Sequence, residues 1–226
     1  MTIDINFKKY PLPNRFRHHT SPNQYLPVSE LKVMPDYYPP LYEKMDWSEV
    51  FGNAKKPDYL DVGCGKGAFL LSTALDEPNK NILGIELRKT PVKWLETIIF
   101  GEKIVNCGVI WYSVVNGLKF IDDNSIDKVF YLFPDPWYKR KHNKRRVLDY
   151  EMLAEFSRVM KPGGRFYIAT DVEKVDFEHR KILGKQNFFS YEIVSSENDW
   201  NLPVTNKEKF CRKKNIDIYR LICTKL

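Results

Sequence analysis

The sequence is poor in cysteine and shows no pattern for using it. Cys64, Cys107, Cys211 and Cys223 form no Cys-x-x-Cys pair and no zinc-type spacing. A chain of 226 residues that is 43% hydrophobic can bury one sizeable core without disulfide staples. Reduced thiols and no bound metal are therefore expected. Long apolar runs are missing as well. The start, Met-Thr-Ile-Asp-Ile-Asn-Phe-Lys-Lys-Tyr, lacks the apolar stretch of a signal segment, and no run reaches the length of a membrane span. These absences lead us to expect a soluble, cytoplasmic protein with no membrane partner. The sequence contains no internal repeat, so a repeat architecture is excluded.

Positive charge, by contrast, is in excess. A net charge of +7 favours a polyanionic partner, nucleic acid first. Residues 1–45 are rich in proline (Pro11, Pro13, Pro22, Pro27, Pro35, Pro39, Pro40) and carry Arg15, Arg17, His18 and His19 close together. They show no sustained period of 2 or 3.6 and read as a basic tail or surface wrap. Residues 46–226 are then a single domain. A short helix over Met45 to Phe51 would dock Trp47 on its body.

That domain begins with a short apolar strand, Tyr59 to Val62, which breaks into Gly63-Cys64-Gly65-Lys66-Gly67 and an apolar-periodic helix. Glycines let a backbone turn tightly and approach a ligand, and a helix N-terminus favours polar or negative groups, so this is a nucleotide-cofactor loop. Its Gly-x-Gly-x-Gly spacing, with Asp61 two residues ahead, departs from the dinucleotide pattern Gly-x-Gly-x-x-Gly. A second strand, Asn81 to Ile85, ends in Glu86, where a carboxylate can accept both ribose hydroxyls of an adenosine. A helix from Thr90 to about Phe100 leads to a third strand, Val109 to Val115. That strand ends in Asn116-Gly117, where the amide could read an adenine edge or simply make a turn.

The fourth strand, Ile126 to Phe133, alternates little and should be buried on both faces of a parallel sheet. It delivers the chain to Pro134-Asp135-Pro136. Flanking prolines keep Asp135 out of any helix and aim its carboxylate. Trp137 follows, then six Lys/Arg in the eight residues Lys139 to Arg146, with His142 among them. A stiff carboxylate, an aromatic plane and a block of cations fit a site that holds a base while gripping phosphates; the alternative is a proline turn and a solvated basic loop. For Trp137, core packing and base stacking stay open.

Met152, Leu153, Phe156, Val159 and Met160 form the stripe of a helix packed on a sheet. Lys161-Pro162-Gly163-Gly164 should stop it and turn into a strand, Arg165 to Thr170, with Asp171 at its end. A helix from Glu173 to Leu183 and strands Ser190 to Val194 and Ile216 to Thr224 complete the pattern. The excursion between those strands, Ser195 to Asn215, lacks clear periodicity and holds Thr205, Glu208, Lys207, Lys209, Arg212, Lys213 and Lys214. Since open α/β sheets bind ligands at the carboxyl ends of their strands, Gly63, Glu86, Asn116 and Asp135 should converge on one rim.

Asp-Val-Gly-Cys-Gly-Lys-Gly, the distant Glu86 and Lys-Pro-Gly-Gly together resemble the class I S-adenosylmethionine-dependent methyltransferases. Within them, Phe-Pro-Asp-Pro-Trp-x-Lys-x-x-His-x-Lys-Arg-Arg, Thr170-Asp171 and Thr205-x-x-Glu208 resemble the signature of the tRNA (guanine-N7)-methyltransferases, over roughly residues 45–226. The resemblance implies a doubly wound α/β fold with a mostly parallel seven-stranded sheet and an antiparallel last strand. It also implies S-adenosylmethionine as cofactor and a variable-loop guanosine of tRNA as substrate. By position it implies cofactor contacts at Asp61, Gly63, Glu86, Asn116 and Asp135, with Gly65 and Gly117 in the same two loops. Substrate contacts fall at Lys139, Asp171, Thr205 and Glu208, and His142 and Arg145 belong to the same signature.

Tyr138 departs from the proline of many bacterial members. Asn215 takes the place of a turn glycine that an αL-tolerant residue can fill. Arg15-x-Arg17 and Met45 to Glu49 resemble eukaryotic members that work with a non-catalytic WD-repeat partner, which leaves such a partner and a homodimer both open.

Guanine N7 is a bare lone pair, so its methylation requires no general base and rests on positioning and electrostatics. Asp135 is the candidate catalytic carboxylate. Lys139, Lys141, Arg145 and Arg146 are the candidate phosphate contacts. Two alternatives keep part of the pattern. A small-molecule methyltransferase has no use for the basic run, and a non-catalytic RNA-binding scaffold has no use for Asp61, Glu86 and Asp135.

Overall fold

The computed structural model describes residues 5–14, 20–136 and 147–226. Among them, seven strands form one sheet: β1 Tyr59–Val62, β2 Ile82–Glu86, β3 Cys107–Trp111, β4 Ile126–Leu132, β5 Met160–Thr170, β6 Phe189–Ile193 and β7 Tyr219–Lys225. Their order is β3-β2-β1-β4-β5-β7-β6. Pairings from β3 through β5 are parallel, while β7 runs antiparallel to both β5 and β6. The expected doubly wound sheet with a reversed last strand is what forms.

Alternation along the central strands divides the core in two. Leu60, Val62, Val129, Tyr131, Phe166 and Ile168 face one side, where α3 (Tyr150–Val159) contributes Met152, Leu153 and Phe156 and α4 (Glu173–Leu183) contributes Leu183. Tyr59, Phe130 and Tyr167 face the other, against α1 (Ala68–Asp76) and α2 (Lys89–Gly101). Consecutive buried residues on β4 follow from coverage on both faces. No helix among the described residues is long and apolar enough to cross a membrane.

Four local expectations need correction. β3 stops at Trp111, and the chain then tightens into a 3₁₀ turn, Val114–Asn116. Lys161-Pro162-Gly163-Gly164 does not precede β5 but lies inside it. Met160 already pairs with Ile126, and the register then shifts across a bulge at which Gly163 has φ +75°. The excursion before β7 is not irregular, since it contains α5 (Glu197–Trp200) and α6 (Asn206–Lys214). Met45 to Phe51 forms turns rather than a helix, although Trp47 does pack on the core. Asn215 closes α6 at φ 51°, ψ 43°, the left-handed conformation its side chain tolerates.

Candidate active site

Between β1 and α1 the chain passes through Gly63, Gly65 and Gly67 at φ +81°, +59° and +71°, a region that penalises any Cβ. A methyl group on Gly67 would also strike Leu95 of α2, whereas one on Gly63 would meet nothing within 4 Å. The last glycine thus seats α1 on α2. The first leaves the loop open to a cavity of about 790 Å³ that Gly63, Gly65, Asp61, Glu86 and Asp135 all line. Small-molecule sites typically measure roughly 300–1,000 Å³.

Two acids lie beneath the loop. Glu86 Oε2 accepts from the Gly65 N–H at 2.9 Å. Arg88 folds back on the same carboxylate: its backbone N–H and Nε reach Oε1 at 2.9 and 2.8 Å, and Nη2 reaches Oε2 at 3.0 Å. Asp61 is 3% exposed, and its Oδ2 has no hydrogen-bond partner among the described residues. Burial, with the Glu86 charge second, pushes its pKa up to about 8. A buried acceptor without a donor is costly. A cationic donor entering the cavity would relieve that cost.

β4 then presents Asp135. Phe133 sits at φ +55°, although a bulky residue before proline prefers extended geometry. Its N–H donates to the Ala169 carbonyl at 2.7 Å, and its ring packs on the α1/α2 side of the core. Strain of this kind persists where the surroundings over-determine it. Asp135 Oδ2 accepts from the Tyr25 hydroxyl at 3.2 Å.

Tyr25 belongs to the proline-rich segment, which crosses this rim. Ser113 Oγ donates to the Gln24 carbonyl at 2.7 Å, and the Tyr38 hydroxyl donates to the Leu26 carbonyl at 2.6 Å. Asn116 serves the same segment. Its Oδ1 accepts from the Val28 N–H at 2.9 Å, and its Nδ2 donates to the Tyr38 hydroxyl and the Ser113 carbonyl. The early end of β3 and the 3₁₀ turn rotate Asn116 and Gly117 off the cavity wall, which here runs from Tyr112 to Val115. Asn116 and Gly117 are not among its lining residues, and the turn that the sequence also allowed at Asn116 is what forms.

Asp171, Thr205, Lys207 and Phe210 form the opposite wall. Lys207 Nζ pairs with Asp171 Oδ2 at 2.7 Å. Asp171 is not a helix cap, since α4 is capped by Val172 without a side-chain bond. Thr205 caps α6, accepting from the Glu208 N–H at 2.9 Å. Thr-x-x-Glu is also the spacing of a capping box, the structural signal in that pair. Glu208, which the resemblance implies as a substrate contact, is buried in an ion-pair cluster. It is 2% exposed, and its Oε1 accepts from Arg220 at 2.7 Å and Arg212 at 2.8 Å. It ties α6 to β7 and does not line the cavity.

A family model described as a putative methyltransferase matches residues 55–221. A tRNA (guanine-N(7)-)-methyltransferase of Francisella philomiragia is 35% identical over 178 residues, covering 77% of this chain and 76% of that protein. Another, of Thermosynechococcus vestitus, is 32% identical over 182 residues, covering 77% and 83%. The chain belongs to the tRNA (guanine-N7)-methyltransferase family. Among solved structures, the 16S rRNA methyltransferase KamB superposes with a TM-score of 0.58 at 16% identity, over 88% of this chain and 98% of that one. A 30S ribosomal methyltransferase from an uncultured bacterium gives 0.52 at 18% identity, over 77% and 90%. Both likenesses concern the fold.

In this methyltransferase Lys139, His142 and Arg145, like Trp137, lie outside the described residues. Three residues of the rim, Arg88, Tyr25 and Ser113, escaped the sequence reading, and Lys207 entered it only as one of a cationic cluster. Arg88 could have been suspected as a cation two positions after a strand-end acid, and Lys207 as one beside a helix cap. Tyr25 and Ser113 carry no periodic or motif signal.

Proposed function

We propose that this chain transfers a methyl group from S-adenosylmethionine to N7 of a guanosine in the variable loop of tRNA, with Asp135 as the carboxylate that meets the base. The observation that carries this reading is the meeting of three acids, Asp61, Glu86 and Asp135, in one cavity at the carboxyl rim. The residues suit the cofactor. The unpartnered Oδ2 of Asp61 is an acceptor for its ammonium group, Glu86 offers two oxygens to ribose hydroxyls, and Gly63 leaves room for close approach. When bound, the cofactor supplies an electrophilic methyl group on a sulfonium.

Everything else falls to the chain's own side chains. N7 carries no proton, so no residue needs to act as a base. Asp135 accepts N–H groups of the guanine edge and offsets the positive charge that the base acquires. The Asp171–Lys207 pair and Thr205 bound the other side of the base. Lys139, Lys141, Arg145 and Arg146 neutralise phosphates.

Transfer from labelled cofactor into bulk tRNA, followed by nucleoside analysis, tests the reading. All label should appear in 7-methylguanosine; label in another nucleoside, or none, overturns it. A small-molecule methyltransferase would show no steep salt dependence of tRNA affinity. Here neutralising Arg145 and Arg146 should flatten the log–log slope by about 0.7 to 0.9 per lost contact.

A further inference from the structure

We propose that Tyr25 is a positioning residue for methyl transfer: its hydroxyl, delivered by the N-terminal segment, fixes the orientation of the Asp135 carboxylate. This inference rests on the reading of Asp135 as the carboxylate that meets the base. Pro134 and Pro136 stiffen the backbone on either side of Asp135, but they leave its side-chain torsions unconstrained. A carboxylate that must hold planar N–H donors needs those torsions fixed as well. The Tyr25 hydroxyl, 3.2 Å from Oδ2, supplies that restraint on one oxygen and so fixes the plane of the carboxylate.

The donor is itself held from several sides. Tyr25 ends the 3₁₀ turn Pro22–Tyr25 and is 8% exposed. The residues around it are pinned: Gln24 by Ser113 through its carbonyl and by the Tyr37 carbonyl through its side chain, Leu26 by Tyr38, and Val28 by Asn116. This explains what Asn116 does off the cavity wall, since it anchors the segment that carries the tyrosine. Burial first, and the Asp135 charge second, hold the phenol pKa above its ordinary value. Tyr25 therefore stays a donor throughout the neutral range. The residue lies ahead of the stretch matched by the family model, 55–221, so this contact belongs to the chain's own N-terminal segment.

The test is a double-mutant cycle on the full chain with Tyr25→Phe, Asp135→Asn and both together, read by single-turnover methylation of tRNA. Tyr25→Phe keeps the ring and removes only the hydroxyl. Its kcat should fall about 5- to 20-fold, with the KM for tRNA, the calorimetric cofactor affinity and the thermal melt unchanged. In the Asp135→Asn background the same change should cost less than about twofold, because the partner is already altered.

A Tyr25→Phe rate within about twofold of the parent, beside a slow Asp135→Asn, overturns the inference and leaves the reading of Asp135 intact. An equal loss in both backgrounds, or a loss that tracks melting and cofactor affinity, overturns it in favour of a purely structural tyrosine. An Asp135→Asn variant at the parent rate overturns the reading of Asp135 and this inference with it.

Discussion

Arg88 closes over Glu86 from the same strand end, holding Oε1 and Oε2 at once with Nε and Nη2. Any ribose that docks on this carboxylate shares its oxygens with the guanidinium or displaces it.

Replacing Glu86 should therefore have two separable effects. Glu86→Ala should weaken cofactor binding by about 1.5 to 3 kcal/mol, and it should also lower the melt, because a largely buried guanidinium loses the carboxylate it is bonded to. Adding Arg88→Met should recover the melt and leave the affinity low. Calorimetric titration alongside thermal unfolding reads both. Unchanged affinity in the folded single variant would remove Glu86 from the cofactor site.

Asp135→Asn should slow single-turnover methylation at saturating tRNA by about 10² to 10³. Asparagine keeps the size and the two proline constraints but turns one acceptor into a donor. Affinity for tRNA should change little, because phosphate contacts dominate it. A rate within about threefold of the parent would confine Asp135 to shaping the turn.

Glu208 should reveal itself in stability. Truncating one partner of a buried, hydrogen-bonded ion pair typically costs about 3 to 5 kcal/mol. Glu208→Ala should thus melt well below the parent in chemical and thermal unfolding, and Glu208→Gln should lose less. A variant that melts like the parent yet fails to methylate tRNA would return Glu208 to the base edge.

Asp61 gives stability a pH dependence of defined sign. Its folded pKa, about 8, lies above the ordinary value of 3.8, so between these values the native state holds a proton that the unfolded chain has lost. The contribution is complete below pH 3.8 and falls as pH rises towards 8, by at most about 1.4 kcal/mol per pH unit. Asp61→Asn removes this dependence. Measured without cofactor, the variant's advantage in melting temperature should grow from pH 5 to pH 8 and level off above. A constant difference would mean that Asp61 ionises normally in the fold.

Strand-end chemistry was legible because it is local. Glycines at alternate positions after Val62, an acid at the end of β2 and a proline-clamped acid after β4 each announce a backbone constraint, and parallel topology brings such ends together. Contacts between distant segments were not legible. Nothing near Asn116 signals that residues 20–38 would use its amide, and the residue types in Pro22 to Tyr25 describe a turn without saying where it lands. Glu208 is ambiguous in the sequence for a related reason. Its Thr-x-x-Glu spacing is compatible with a helix cap and with a family signature, and only the arrival of Arg220 from β7 shows where the charge is neutralised. Gly163 misled in the other direction, because Pro-Gly-Gly marks a bulge as readily as a stop.

The reversal of β7 has a consequence for what surrounds the cavity. In a parallel strand the preceding segment arrives at the amino end of the sheet, on the far side from the ligand. Tyr219 instead lies beside Thr170, and Thr224 beside Arg165, so β7 starts its descent at the carboxyl end. The stretch just upstream, α6 with Thr205 before it, is thereby left at the mouth of the cavity, where Lys207 and Phe210 complete its wall. One change in a strand's direction of travel furnishes the site with a cationic helix that six co-directional strands could not deliver.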